Sequence, residues 1–202
     1  MEEKGKKKTA HLKWNFAVDY NDHFETPTVA YEDLIPALKL VATALKKPFE
    51  DLVIYDPYWC QGQMVSILNN LGFVNVINRN RDFYADIKNK CIPEYDILIT
   101  NPPYSGEHKV RLIEYLKNTR KPFCLLLPAY TATKSYWRDF SESITKVYSE
   151  GLVYLMPPNS YSYCHPEGTG KDLPPFYSSW FIGRFPKVSL LICFTEVDDT
   201  HK

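Results

Sequence analysis

The stretch YDILITNPPYSG, residues 95–106, sets Asn101, Pro102, Pro103 and Tyr104 directly behind an apolar run. Proline fixes φ and carries no N–H, so two in succession make a stiff, extended segment whose carbonyls have no local partner. Carbonyls held in that way are hydrogen-bond acceptors for something outside the segment. A second unusual stretch, DPYWCQGQ from Asp56 to Gln63, also follows a short apolar run. At typical residue usage, NPPY would occur by chance in about one chain in a thousand of this length.

The elements that must position these stretches can be read from apolar spacing. Thr26 reads as a cap and Pro27 as a first helical position. Leu34, Ile35, Leu38, Val41, Ala42 and Leu45 then recur at helical spacing, with a kink at Pro36 and an end at Lys46-Lys47-Pro48. Residues 52–55 read as a first buried strand. Met64, Ile67, Leu68 and Leu71 form one helical face with Gly72 as its stop, and residues 74–77 a second strand. Residues 95–100 are a third strand, Val110, Ile113 and Leu116 mark a helix, and residues 123–127 are a fourth strand. In the last third, residues 152–156, 177–182 and 188–195 are strand-like, and GRFPK between the last two is short enough for an antiparallel hairpin. The alternation predicts an α/β fold with right-handed crossovers, its mostly parallel sheet ending in an antiparallel hairpin. Ligands of such sheets sit beyond the carboxyl ends of the strands, where both unusual stretches fall.

Composition narrows the partners. A chain of 202 residues supports one domain, and no apolar run approaches the roughly 20 residues of a membrane span. Lys plus Arg and Asp plus Glu are 24 each, so any polyanion must be held by local patches. Residues 1–20 show no clear period and carry Lys4, Lys6, Lys7 and Lys8. They read as a flexible basic segment that is solvated, touches phosphates or serves as an import signal, leaving residues 21–202 as the domain. Cys60, Cys91, Cys124, Cys164 and Cys193 form no CxxC pair and follow no secretory signal, which favours a reducing intracellular compartment, cytoplasm or nucleus, and no structural metal.

With these residues placed, the chain resembles the class I S-adenosylmethionine-dependent amino-methyltransferases that carry an NPPY signature. The resemblance runs over roughly residues 23–130 and implies a Rossmann-like methyltransferase fold with S-adenosylmethionine as cofactor. It makes the Asn101 side-chain oxygen and the Pro102 carbonyl the two acceptors for the N–H groups of a conjugated amine, whose lone pair they free by favouring a pyramidal nitrogen. The prolines, Pro102 and Pro103, would hold the carbonyl rigidly aimed. Tyr104 would stack on the target group, a contact worth about 1–3 kcal/mol for a base. Phe24, Thr26 and Pro27 of HFETP resemble the FxTP segment at the cofactor's methionine end. Asp56, Pro57 and Gly62 resemble the glycine-rich DPxxGxG loop, whose acid meets the cofactor's amino group. Cys60 stands where that loop has its first glycine. The acid usual at the end of the second strand is absent too: Asn78 and Asn80 stand there, and the first acid is Asp82. Asp82 with Phe83 resembles the DF pair that flanks the cofactor adenine, although Asp82 suits the ribose or a surface salt bridge as well. The short interval from Asn78 to Asn101 implies that a helix or strand of the family is shortened or lost.

Residues 157–176 form a long loop whose Tyr161, Tyr163, His165 and Lys171 are placed to cover or read a substrate. His165 and His108 read as surface histidines. The expected activity is methylation of an exocyclic amine, N6 of adenine in RNA or DNA, with a protein partner possible for target recognition. The alternatives are methylation of protein glutamine, to which the same two acceptors apply, and an inactive methyltransferase-fold module that binds RNA or a partner.

Overall fold

The computed structural model of the chain describes residues 24–148, 152–163 and 177–185. Four strands, β1 (Val53–Asp56), β2 (Asn75–Asn78), β3 (Ile97–Thr100) and β4 (Phe123–Pro128), run parallel. Antiparallel to β4 runs β6 (Ser178–Gly183), which pairs in turn with β5 (Val153–Leu155). The spatial order is β2-β1-β3-β4-β6-β5, so the sheet is α/β, mostly parallel and finished by antiparallel strands. The chain leaves β1 toward β2 and returns to its other side as β3. The strand order therefore reverses about β1, which puts the crevice of a ligand-binding sheet at the ends of β1 and β3.

Alternating residues of each strand fill two cores. Ile54, Ile97, Ile99, Cys124, Leu126, Trp180 and Ile182 face one side, covered by α1 (Thr28–Glu32), α2 (Ile35–Leu45) and α3 (Gln63–Asn70). Tyr55, Leu98, Phe123, Leu125, Leu127 and Phe181 face the other, covered by α4 (Phe83–Lys88), α5 (His108–Asn118) and α6 (Ser135–Tyr148). Both faces being covered explains why β3 and β4 read as unbroken apolar runs rather than alternating ones.

Several boundaries differ from the sequence reading. The single kinked helix over residues 26–45 is two helices, because Pro36 lacks an N–H and is accommodated in the first turn of α2, with the chain bending at Asp33 and Leu34. Pro27, not Thr26, stands at the cap of α1, and Lys46 ends α2 in the left-handed conformation at φ 53°. The third strand begins only at Ile97, since the Asp96 carboxylate is occupied by the Val53 N–H at 2.9 Å and by Lys47 at 2.7 Å. Two helices went unread, α4 and α6. Between β2 and β3 the described chain carries only the six-residue α4 and no strand, the shortening expected from the interval. The predicted hairpin partner at residues 188–195, the segment 1–20, His165 and Lys171 lie outside the described residues. No helix of the described residues is long and apolar enough to cross a membrane.

The seam between β4 and β6 is tight at one point. A Cβ placed on Gly183 would lie 2.3 Å from Phe123 Cζ and 2.9 Å from Leu152 Cδ2. Gly183→Ala is therefore expected to cost about 1–3 kcal/mol through overpacking, read as a lower urea midpoint at unchanged slope. An unchanged midpoint would contradict this packing.

Candidate functional site

Asp56 closes β1 and is 6% exposed. Its Oδ1 accepts from the Tyr58 N–H at 3.0 Å and from the Thr100 hydroxyl at 2.5 Å, which joins the ends of β1 and β3. Burial raises its carboxyl to about 7 from 3.8. The two hydrogen bonds oppose that shift and the charge of Glu25 adds to it. Glu25, 7% exposed, accepts from the Gln61 N–H at 2.8 Å and is likewise pushed up by burial. Neither carboxylate has a cationic partner among the described residues. Buried acids are almost always paired, so this corner of the crevice holds two acidic groups without a resident counter-charge.

Between the two acids runs the loop from Pro57 to Gly62. Gly62 is left-handed at φ 81°, and a Cβ there would meet Trp59 Nε1 at 3.2 Å, so the position requires glycine. The Cys60 thiol lies against the Glu25 carboxylate, and burial first, then that charge, push the thiol well up. Asn78, where an acid was expected, donates from its amide to the Asp56 carbonyl at 3.2 Å and the Tyr58 carbonyl at 3.3 Å. Thr26 is buried beside the Tyr31 hydroxyl, while Phe24 is partly exposed.

The structure engages Asp82 and Phe83 in contacts of their own. The Asp82 Oδ1 caps α4, accepting from the Tyr84 N–H at 2.9 Å and the Ala85 N–H at 3.1 Å. Phe83 is packed edge-on against Tyr58 and Tyr115 in the second core. An adenine platform needs a free ring face, which this packing does not offer. The residue that β1 and β2 do bring to the loop is Asn78.

Past β3, the NPPY segment has no regular structure, and all its peptide bonds are trans. Asn101 Oδ1 is buried and makes no hydrogen bond, and the Pro102 carbonyl follows it directly in the same stiff segment. The stiff segment thus opens on one buried, unsatisfied acceptor, Asn101 Oδ1. The Tyr104 hydroxyl donates to the Leu126 carbonyl at 3.1 Å, which anchors the ring against β4, and Lys109 Nζ sits 5.7 Å from the ring centre. The two loops are tied together by a relay of hydroxyls: Tyr58 to Tyr84 at 2.9 Å, and Tyr84 to His108 Nδ1 at 2.8 Å. His108 at the start of α5 is thereby half-buried rather than a surface residue. Of the long loop's aromatics, Tyr161 donates to Asp33 at 2.5 Å, and both it and Tyr163 belong to the first core, Tyr163 lying beside Tyr104 and Ser178.

Sequence reasoning passed over Glu25, Tyr58, Asn78's role, Thr100 and Ser178. Glu25 and Tyr58 lie inside the two motifs already singled out, HFETP and DPYWC, and were legible as polar groups at a strand end. Ser178 was not, because only the antiparallel return of β6 brings its first residue to the same edge.

No protein-family model and no curated protein matches the chain. Among solved structures, a Listeria monocytogenes protein provisionally described as a class I S-adenosylmethionine-dependent methyltransferase is similar, with a TM-score of 0.50 at 14% identity. The match covers 84% of this chain, which spans 63% of the length of that protein. The likeness shows the fold: a Rossmann-like methyltransferase sheet.

The strained charge of Asp56 has a measurable consequence. Between about pH 4 and 7 the folded carboxyl keeps a proton that the unfolded one has released, so stability falls as pH rises through that window and levels off above it. Asp56→Asn removes the buried charge and is expected to raise the urea midpoint of the ligand-free protein at pH 8 while changing it little near pH 4. A lower midpoint at pH 8 would mean that partners in the folded protein stabilise the ionised group.

Proposed function

We propose that the chain is an S-adenosylmethionine-dependent N-methyltransferase acting on an exocyclic amine, N6 of adenine in RNA or DNA. The observation that carries this reading is the buried, partnerless Asn101 Oδ1, which the rigid Pro102 carbonyl follows in the chain. Leaving a buried acceptor unsatisfied costs about 1–3 kcal/mol, which a donor-bearing ligand would offset. Two acceptors at one strand end match an NH2 group, which has two hydrogens to donate.

The residues of the β1 corner fit the cofactor. Asp56, with Glu25 behind it, supplies negative charge without a cation, suited to an ammonium group. The Asn78 amide is the polar group at the end of β2 for ribose hydroxyls, and Gly62 lets the loop backbone pass close. When bound, S-adenosylmethionine supplies an electrophilic methyl group. Asn101 and Pro102 orient the amine and draw on its two N–H bonds, so that the nitrogen lone pair leaves conjugation and points into the crevice. Tyr104, fixed through its hydroxyl, supplies a wall against which a flat group stacks. The amine loses its proton during or after transfer, when it is acidic enough for water, so no side-chain base is required.

Target recognition would fall to a partner protein, to the substrate's own shape or to the basic segment at residues 4–8. The reading from another class, a binding module without catalysis, draws on Cys60 and on Asn78 in place of an acid.

Asn101→Ala leaves the β1 corner intact, so affinity for S-adenosylmethionine, expected in the micromolar range, should change little. Transfer should fall by about a hundredfold or more, the scale seen when one preorganised polar group at a reacting centre is deleted. Labelled cofactor incubated separately with RNA, DNA and protein fractions supplies the readout. Label in glutamine would assign the amide as substrate, and transfer undiminished in the variant would overturn the role of Asn101. Absence of cofactor binding at millimolar concentration would leave the binding module.

A further inference from the structure

Four buried side-chain oxygens of the described residues make no hydrogen bond of ordinary geometry: Asn101 Oδ1, Thr131 Oγ1, Tyr163 Oη and Ser178 Oγ. They are not scattered. Asn101 and Thr131 follow the carboxyl ends of β3 and β4, and Ser178 opens the antiparallel β6 opposite Pro128, so it stands at the same edge of the sheet. The Tyr163, Ser178 and Tyr104 hydroxyls face one another, close enough to interact but short of full hydrogen-bond geometry for Tyr163 and Ser178. Ser178 is 1% and Tyr163 9% exposed. Native interiors leave few such groups, and a cluster of them at one edge needs a partner that supplies both donors and acceptors.

We propose that Tyr163 and Ser178 are specificity-determining residues that read the ring nitrogen next to the amine held by Asn101 and Pro102, making the ligand of this edge an amino-substituted nucleobase. The inference rests on the N-methylation reading and narrows it. Asn101 Oδ1 and the Pro102 carbonyl only accept, which suits NH2. The two hydroxyls can donate, which suits the lone pair adjacent to that NH2 on the base edge. Tyr104 supplies the stacking wall, so edge and face of the base are read together, as in sites that take a base out of its stack. Burial raises the Tyr163 hydroxyl above its usual range and keeps it a donor at every working pH. Neither residue belongs to the NPPY segment or to the loop after β1, and both come from the last described part of the chain.

The test compares binding of adenosine and 1-deazaadenosine, which keeps the amine but replaces the N1 acceptor with C–H. Binding is measured by saturation-transfer NMR on the full chain with excess S-adenosylhomocysteine present to occupy the β1 corner. The parent should prefer adenosine by about tenfold, the scale of one hydrogen bond, and the double variant Tyr163→Phe, Ser178→Ala should bind the two within about twofold. Since the two hydroxyls have no full-geometry partner, each single variant should keep the parent's urea midpoint or exceed it. A lowered midpoint would assign the hydroxyls to the fold and overturn the inference, as would equal binding of the two nucleosides by the parent or no binding of adenosine. Methyl transfer that depends on Asn101 in the face of any of those results would leave the N-methylation reading standing and remove only this narrowing of it.

Discussion

The bond from the Thr100 hydroxyl to the Asp56 carboxylate, 2.5 Å long and buried, joins the ends of the neighbouring strands β1 and β3. The loops that follow those strands are positioned by it. Asp56 also holds the Tyr58 N–H, which starts the loop to Gly62, while Thr100 is the residue before Asn101. A displacement of either strand end would move a charged group on one side and an acceptor on the other. The hydroxyl relay from Tyr58 through Tyr84 to His108 repeats the linkage one layer out, tying the first loop to the helix behind the second. Coupling of the two loops is thus a matter of one buried and several partly buried hydrogen bonds between elements that the parallel sheet already sets side by side.

The fold was legible where burial dictates composition. β3 and β4 are covered by helices on both faces, so ILIT and FCLLLP carry almost no polar residue and can be read directly. The helices α4 and α6 were not legible for two different reasons. FYADIK is six residues long, too short to show a period, and its existence depends on the Asp82 cap. In α6 the aromatics Tyr136, Trp137 and Phe140 occupy the helical face that Trp137, Phe140 and Ile144 bury, and such residues read equally well as strand. The break before Pro36 shows the complementary case: the apolar spacing on either side is helical, and only the missing N–H decides that two helices replace one.

The candidate site was legible as motifs and illegible as partnerships. That Asn101 and Asp56 matter follows from their types at strand ends. That Glu25 holds the loop after β1, or that Asn78 holds its beginning, requires contacts between residues about 20 to 36 positions apart. Asp82 is the instructive exchange. A carboxylate followed by an aromatic looks like a ligand pair, yet the helix beginning at Phe83 has orphan N–H groups of its own, and the nearest carboxylate satisfies them.

The departures from the resembled family form one pattern. Where a glycine-rich loop is held by backbone geometry, this chain substitutes Cys60 and supplies Glu25, whose carboxylate takes the Gln61 N–H. Where a carboxylate would stand at the end of β2, Asn78 uses its amide hydrogens to hold the Asp56 and Tyr58 carbonyls, and so trades negative charge for a fixed loop. The exchange is electrostatically sensible. Asp56 already rises to about 7, with Glu25 contributing to the rise, and a third acid at the same edge would push it further and keep it neutral at physiological pH. An uncharged amide at position 78 adds no further repulsion to Asp56. No lysine or arginine among the described residues pairs with either acid, so hydrogen bonds from the Thr100 hydroxyl and the Tyr58 and Gln61 N–H groups, rather than a counter-charge, hold the two buried carboxyl groups.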